Sequence, residues 1–210
     1  MFNIDLQKFE TKKSCASQVL EHYNLGLYNF DRVNLSQAAL NDTNLAGINL
    51  SEANLVEINL SRTNLKQARL QQSNLKGANL WRTNFDSANL KQACLSRALV
   101  VSANLKHANL EGALLNEADL RLVCLYGANL QDADLQGANL CYGDLRGVNF
   151  AGADLRRAIL TGATLAGANF QGANLEGAIL IRVDFSHADT SQIGRGVDPS
   201  ANCIKSFQIN

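Results

Sequence analysis

Proline occurs once in these 210 residues, at Pro199, and aromatic residues make up only 6% of the chain. A compact globule with varied packing uses more of both, so the core is thin and monotonous. Net charge is missing as well: 19 basic and 19 acidic residues cancel. Residues 1–105 carry eleven basic and eight acidic groups, and residues 106–210 carry eight and eleven. No block of like charge marks a nucleic-acid tail or a membrane-binding patch. Histidine is limited to His22, His107 and His187, and no cysteines stand at zinc-ligand spacing. There is no G-x-S-x-G elbow and no glycine loop ahead of a helix to cradle phosphate. The expectation is a protein that is not an enzyme and carries no metal or cofactor. No apolar run approaches the ~18 residues of a membrane span. The start, Met1-Phe2-Asn3-Ile4-Asp5-Leu6, has neither the basic residues nor the apolar stretch of a signal peptide. Five cysteines, an odd number, point to free thiols in a reducing cytoplasm.

What the chain has instead is a beat of five. From Phe30 to Phe185 every fifth residue is Leu or Phe, with Val100 the one exception, giving 32 consecutive pentapeptides. We call that residue the centre of its unit. Two residues before it stands a small or β-branched residue, as at Ala53, Ala78, Ala103 and Ala153, and the residue just before it is usually Asn or Asp. A helix needs apolar spacing near 3.6 and a strand needs 2, so neither fits. A solenoid with short straight edges does: the centre and the residue two before it point inward, and the other three point out.

Ser73-Asn74-Leu75-Lys76-Gly77, Ala128-Asn129-Leu130-Gln131-Asp132 and Ala173-Asn174-Leu175-Glu176-Gly177 resemble the units of the pentapeptide-repeat proteins. The resemblance covers at least residues 30–185. It implies an all-β fold, a right-handed quadrilateral parallel β-helix with four units per coil. Thirty-two units then make about eight coils, a rod about 38 Å long at strand spacing. The division expected is a tail and capping helix over 1–29, the β-helix over 30–189 and a C-terminal cap over 190–210.

Residues 1–13 alternate Phe2, Ile4 and Leu6 with polar neighbours and read as a short strand or a tail. Residues 14–24 place Val19, Leu20 and Tyr23 on one helical face, with Ser14 or Ser17 as N-cap and Gly26 as terminator. Val19-Leu20-Glu21-His22-Tyr23 also resembles the short helix that begins many cyanobacterial members of the family. Such a helix would cover the open first coil. After Phe185 the period dissolves, and Ile204, Phe207 and Ile209 are apolar enough to fold back over the last coil. Glycine recurs two residues after the centre and crowds into residues 112–177. Regular type II corners are therefore expected there, and more varied corners in the first four coils. With residues stacking only at multiples of 20, no two cysteines align, and Cys94, Cys124 and Cys141 face outward as thiols. Asn49, Asn89, Asn109, Asn129, Asn149 and Asn169, interrupted by Arg69, form a column of amides placed to hydrogen-bond along the rod and to the turns.

Sorted by wall, the outward residues are mainly polar on three sides. The wall on centres 40, 60, 80, 100, 120, 140, 160 and 180 differs. It carries Trp81, Leu99, Val101, Cys141, Ile159, Ile179 and Ile181, with Leu122 and Tyr142 at its corner and Tyr126 just beyond. Arg62, Arg82, Arg121 and Arg182 form the rim. The strip measures on the order of 300 Å², right for the apolar centre of a protein interface. It reads as the docking surface of a rigid, non-enzymatic scaffold or regulator, for a partner protein or a second copy. The C-terminal cap is the other expected dimer contact. The resemblance also implies an alternative, since some family members bind bacterial type II topoisomerases by imitating DNA. Duplex DNA carries about one negative charge per 1.7 Å, and the interspersed Arg62, Lys66, Lys76, Arg82 and Lys91 speak against such an imitation. Direct nucleic-acid binding is not expected.

Overall fold

The computed structural model describes residues 14–19, 25, 30–185 and 187–190. Every bridge is parallel and joins a residue to the one 20 positions on, from Ser14↔Asn34 to Asn169↔Asp189. Each coil therefore has four units and four corners, and the chain winds as the quadrilateral parallel β-helix that the resemblance implies. The bridges are isolated because each wall is extended for only one or two residues between turns. Centres and the residues two before them fill the interior, from Phe30 and Val33 to Val183 and Phe185. Phe150 and Phe170 stack in adjacent coils at 5.0 Å between centroids, and Phe185 meets Phe170 edge-on.

The repeat is explained by where its five N–H groups go. In the unit of Leu35, the centre donates to the Asn54 carbonyl in the next coil, and Gln37 donates to Val56 in that same coil. Ala39 donates back to Gln18 in the coil before, and Ala38 closes the turn onto the Leu35 carbonyl. The fifth N–H, on the residue after the centre, has no backbone acceptor. The Asn or Asp just before the centre accepts it instead: Ser36 N–H bonds Asn34 Oδ1 at 3.1 Å, and Lys76, Gln136 and Arg156 do the same with Asn74, Asp134 and Asp154. A buried or half-buried donor left alone costs about 1–3 kcal/mol, which accounts for the preference at that position. The amides also bond along the rod as expected. Asn169 donates to Asn149, Asn149 to Asn129 and Asn129 to Asn109. A second ladder runs through Asn104, Asn84, Asn64 and Asn44.

Two expectations are corrected. Residues 14–19 are not helical. They form a corner and two bridges onto the coil of residues 34–39, with Cys15 buried as a centre and Val19 turned outward at 64% exposure. Cys15, Leu20 and Leu25 keep the beat of five ahead of Phe30. A helix of about eleven residues is marginal on its own, whereas another coil gains a full ladder and a buried centre. The corners are also uniform. All 31 corners from Arg32 to Arg182 have positive φ two residues after the centre, eleven at glycine and twenty at other residues. Only that third turn position is positive, the mark of type II. The ladder bonds of consecutive coils impose one backbone path, so residues without glycine's freedom adopt it under strain. The tail 1–13, residues 20–24 and the expected cap 191–210 lie outside the described residues.

This sets an expected result at the corners. Gly147 stands at φ +66 and meets only Gly127 backbone at 3.8 Å, so a side chain there adds backbone strain without collision. Gly147→Val should cost about 1–2 kcal/mol and lower the melting temperature by several degrees. Gln67→Gly, at φ 58, should be neutral to slightly stabilising. Thermal melts of the two variants check both signs.

Candidate partner-binding wall

The ten residues expected at the docking surface come from five-residue units whose outward positions the ladder fixes. On the wall of centres 40 to 180, the position just before the centre carries Leu99, Ile159 and Ile179 where most units carry Asn or Asp. Their backbones lie in one column, Leu99 between Asn79 and Asp119, and Ile159 between Asn139 and Ile179. Trp81, Val101, Cys141 and Ile159 are half-buried, and Leu99, Ile179 and Ile181 are exposed. Arg82 places its guanidinium 4.5 Å above the Trp81 ring and covers part of it. Leu122 and Tyr142 stand at successive corners, 57% and 59% exposed, both at positive φ. The Tyr142 ring runs along the rod over Gly162, where a Cβ would stand 2.6 Å from Cε1. Only glycine admits that ring.

The structure does not bring all ten together. Arg121, expected on the rim, lies in the wall itself, clamped to Asp119 at 2.6 Å. The ion pair divides the strip into a patch at Trp81, Leu99 and Val101 and another from Cys141 to Ile181, with Leu122 and Tyr142 joining them along the corner. Tyr126 belongs to a different corner. It packs edge-on against His107 at 5.5 Å and lies under Arg146 at 5.6 Å, a full wall away from Leu122. Arg62 is paired with Asp42 of the preceding coil. Two exposed apolar residues escaped the sequence reading. Val19 extends the same wall at its N-terminal end, hidden by the helix assignment. Leu114, 45% exposed, sits on the next wall between Cys94 and Asp134. Leucine in the place of Asn before a centre, the signal that marks Leu99, marks Leu114 too.

The wall's apolar residues have a backbone consequence. Without an Asn or Asp before the centre, the N–H groups of Val101, Thr161 and Ile181 have no hydrogen-bond acceptor among the described residues. Where the usual residue is present, as at Asn79 and Asn139, Trp81 and Cys141 are satisfied.

Charge is neutralised locally, on this wall and on the others. Asp119, Asp144 and Asp154 each accept from the arginine two residues on, Arg121, Arg146 and Arg156, and those hydrogen bonds hold the three carboxyls below the usual aspartate range. Arg32–Glu52, Lys66–Asp86, Lys91–Glu111 and Arg97–Glu117 pair across coils. The rod is not without a hollow, as its filled interior suggests. An open depression of about 330 Å³ lies at Gln136, Arg156, Arg157, Glu176 and Gly177. Its lining is polar and of both signs, and Arg156 is turned toward Asp154. Cys15, Cys94, Cys124 and Cys141 are free thiols. Cys15 is the buried one, and burial pushes its thiol above the ordinary range. No helix among the described residues is long and apolar enough to cross a membrane.

The fold and the repeat identify the class. The family model for pentapeptide repeats matches residues 29–67, 63–99, 101–137, 133–170 and 158–189. The chain belongs to the pentapeptide-repeat family. Among solved structures it is similar to HetL, a pentapeptide repeat protein involved in heterocyst differentiation regulation from the cyanobacterium Nostoc sp. strain PCC 7120. The two are 28% identical over 95% of this chain and 98% of HetL, with a TM-score of 0.74. It also resembles QnrB1, a plasmid-mediated fluoroquinolone resistance protein, at 17% identity over 83% of this chain and 75% of QnrB1, with a TM-score of 0.51. That second likeness is one of fold alone. Comparison with curated proteins yields no match.

Proposed function

We propose that this chain is a rigid, non-enzymatic regulator of the reducing cytoplasm that acts by holding a protein partner on the wall of centres 40 to 180. One observation carries the reading: on this wall apolar residues stand where they weaken the fold. Leu99, Ile159 and Ile179 give up the side-chain bond to the following N–H. Leu122 and Tyr142 are bulky residues held at φ 58 and 57, where glycine is the unstrained choice. Exposed residues that cost stability are explained by what they bind. HetL's described part in regulating differentiation is in keeping with a role of this kind. The ion pairs that neutralise the carboxylates favour it over the imitation of DNA, which needs a continuous acidic face.

The test is capture of partner protein from native extract by the immobilised chain, quantified by mass spectrometry. Trp81→Ala, Val101→Glu and Ile159→Glu should each reduce capture about tenfold or more while leaving the melting temperature near that of the parent. If all three capture normally and charge reversals on another wall abolish binding, the wall is misassigned. A potent effect of the unmodified chain on gyrase supercoiling would restore the DNA-imitation reading.

A further inference from the structure

Resting on the reading of this wall as a docking surface, we propose that its occupant is a second copy of this chain. The copy lies antiparallel, about a two-fold axis that crosses the wall between the coils of Leu120 and Leu140. An isologous interface must be complementary to itself: residue i meets j, and j meets i. The wall meets that condition about one point. Read from the coil of Leu80 upward, its apolar residues are Trp81, then Leu99 with Val101, then Leu122. Read from the coil of Leu180 downward, they are Ile181 with Ile179, then Ile159, then Tyr142. Two antiparallel copies in this register set Trp81 against Ile181, Leu99 against Ile159 and Leu122 against Tyr142, each pair occurring twice. Leu122 and Tyr142 share one corner of the rod, so the axis brings them together at the middle of the interface.

The polar groups follow the same symmetry. The coils whose N–H groups lack an acceptor, at Val101 and Thr161, lie opposite one another, and the Thr161 hydroxyl can accept from the facing Val101. The Asp119–Arg121 pair faces the coil of Asn139. There the Oδ1 already accepts from Cys141 N–H at 3.1 Å, and the amide NH₂ remains to donate to a carboxylate. Six coils at strand spacing by one five-residue edge give roughly 450 Å² per copy, about 900 Å² in all. That is the size of a transient interface, so the dimer is reversible and concentration-dependent. One facing pair is unfavourable: Arg82 meets Arg182 at the exposed rim. Salt screens such a pair, and dimerisation of the unmodified chain therefore tightens as salt rises.

Sedimentation equilibrium from low micromolar to near-millimolar concentration tests this, with the fold of each variant checked by its melting curve. The unmodified chain should dimerise. Ile159→Glu should raise the dissociation constant about tenfold per copy, on the order of a hundredfold for the symmetric pair. Arg182→Glu should lower it severalfold at low salt, because a carboxylate then faces Arg82 twice, and should reverse the salt dependence. If Arg182→Glu weakens the dimer or leaves it unchanged, the antiparallel register is wrong. A dimer untouched by Ile159→Glu lies on another face and overturns the inference. A chain monomeric throughout also overturns it, and partner capture then separates the two readings. If Ile159→Glu still abolishes capture, the docking wall stands and only the second copy falls; if it does not, both fall.

Discussion

Leu105→Asp should abolish the cooperative melt at physiological temperature. Leu105 is completely buried, stacked between Phe85 and Leu125 of the neighbouring coils. A carboxylate placed there finds no cation and no spare donor. The polar groups nearest the axis in the first coils are hydroxyls that already give their hydrogen away: Thr63 Oγ1 to the Leu40 carbonyl at 2.6 Å, Thr83 Oγ1 to Leu60 and Ser73 Oγ to Leu70. Burying such a group unpaired costs several kcal/mol even if it takes up a proton, a large part of a stability of about 5–15 kcal/mol. The walls cannot move apart to admit water without breaking ladder bonds on both sides. Leu105→Met, similar in volume, should change stability by less than about 1.5 kcal/mol. Circular dichroism melts decide; a Leu105→Asp rod that melts like its parent would contradict the inward placement of the centres.

The second large effect has opposite signs in two measurements. Leu99→Asn, Ile159→Asn and Ile179→Asn together should make the rod more stable and its docking wall less able to bind. Each asparagine restores an acceptor for the N–H two residues on, at Val101, Thr161 and Ile181. An amide introduced by Ile159→Asn would also stand in the column above Asn139, in the geometry that lets Asn149 bond Asn129 at 3.1 Å. A hydrogen bond of this kind is worth about 0.5–1.5 kcal/mol. The three sites together should add roughly 2–4 kcal/mol, or on the order of 5–15 °C for a chain of this size. Residues 159 and 179 are neighbours in one column, so their contributions are not independent. Partner capture and self-association should fall at the same time, because the apolar strip is gone. Natural sequences trade stability for function at such positions. If the triple variant gains nothing in stability, the open N–H groups are not the liability described; if it binds as before, the wall is not the docking surface.

Much of this was legible in the residues alone. The centres repeat every five positions without a slip, so one inward set satisfies the whole rod. Asn or Asp before the centre is likewise a local matter, since its acceptor serves an N–H two residues away in the same unit. Leu99, Ile159 and Ile179 stood out as apolar residues at outward positions of a single wall; that they also break the Asn rule, as Leu114 does, came from the hydrogen bonds of the folded units.

What only the tertiary structure decided depends on the residue 20 positions away. Residues 14–24 place Val19, Leu20 and Tyr23 on one helical face, and only the bridges of Ser14 and Val19 to residues 34 and 39 make residues 14–19 part of a coil. The twenty corners without glycine adopt positive φ because the coils on either side leave no other path. Tyr126 is held at its own corner by His107 and Arg146 of the adjacent coils, and Arg62 is paired by Asp42 one coil away. A repeat determines which way each side chain faces from the five residues around it. Whether neighbouring side chains join into one surface is settled by stacking, where charge, ring and strain meet across coils.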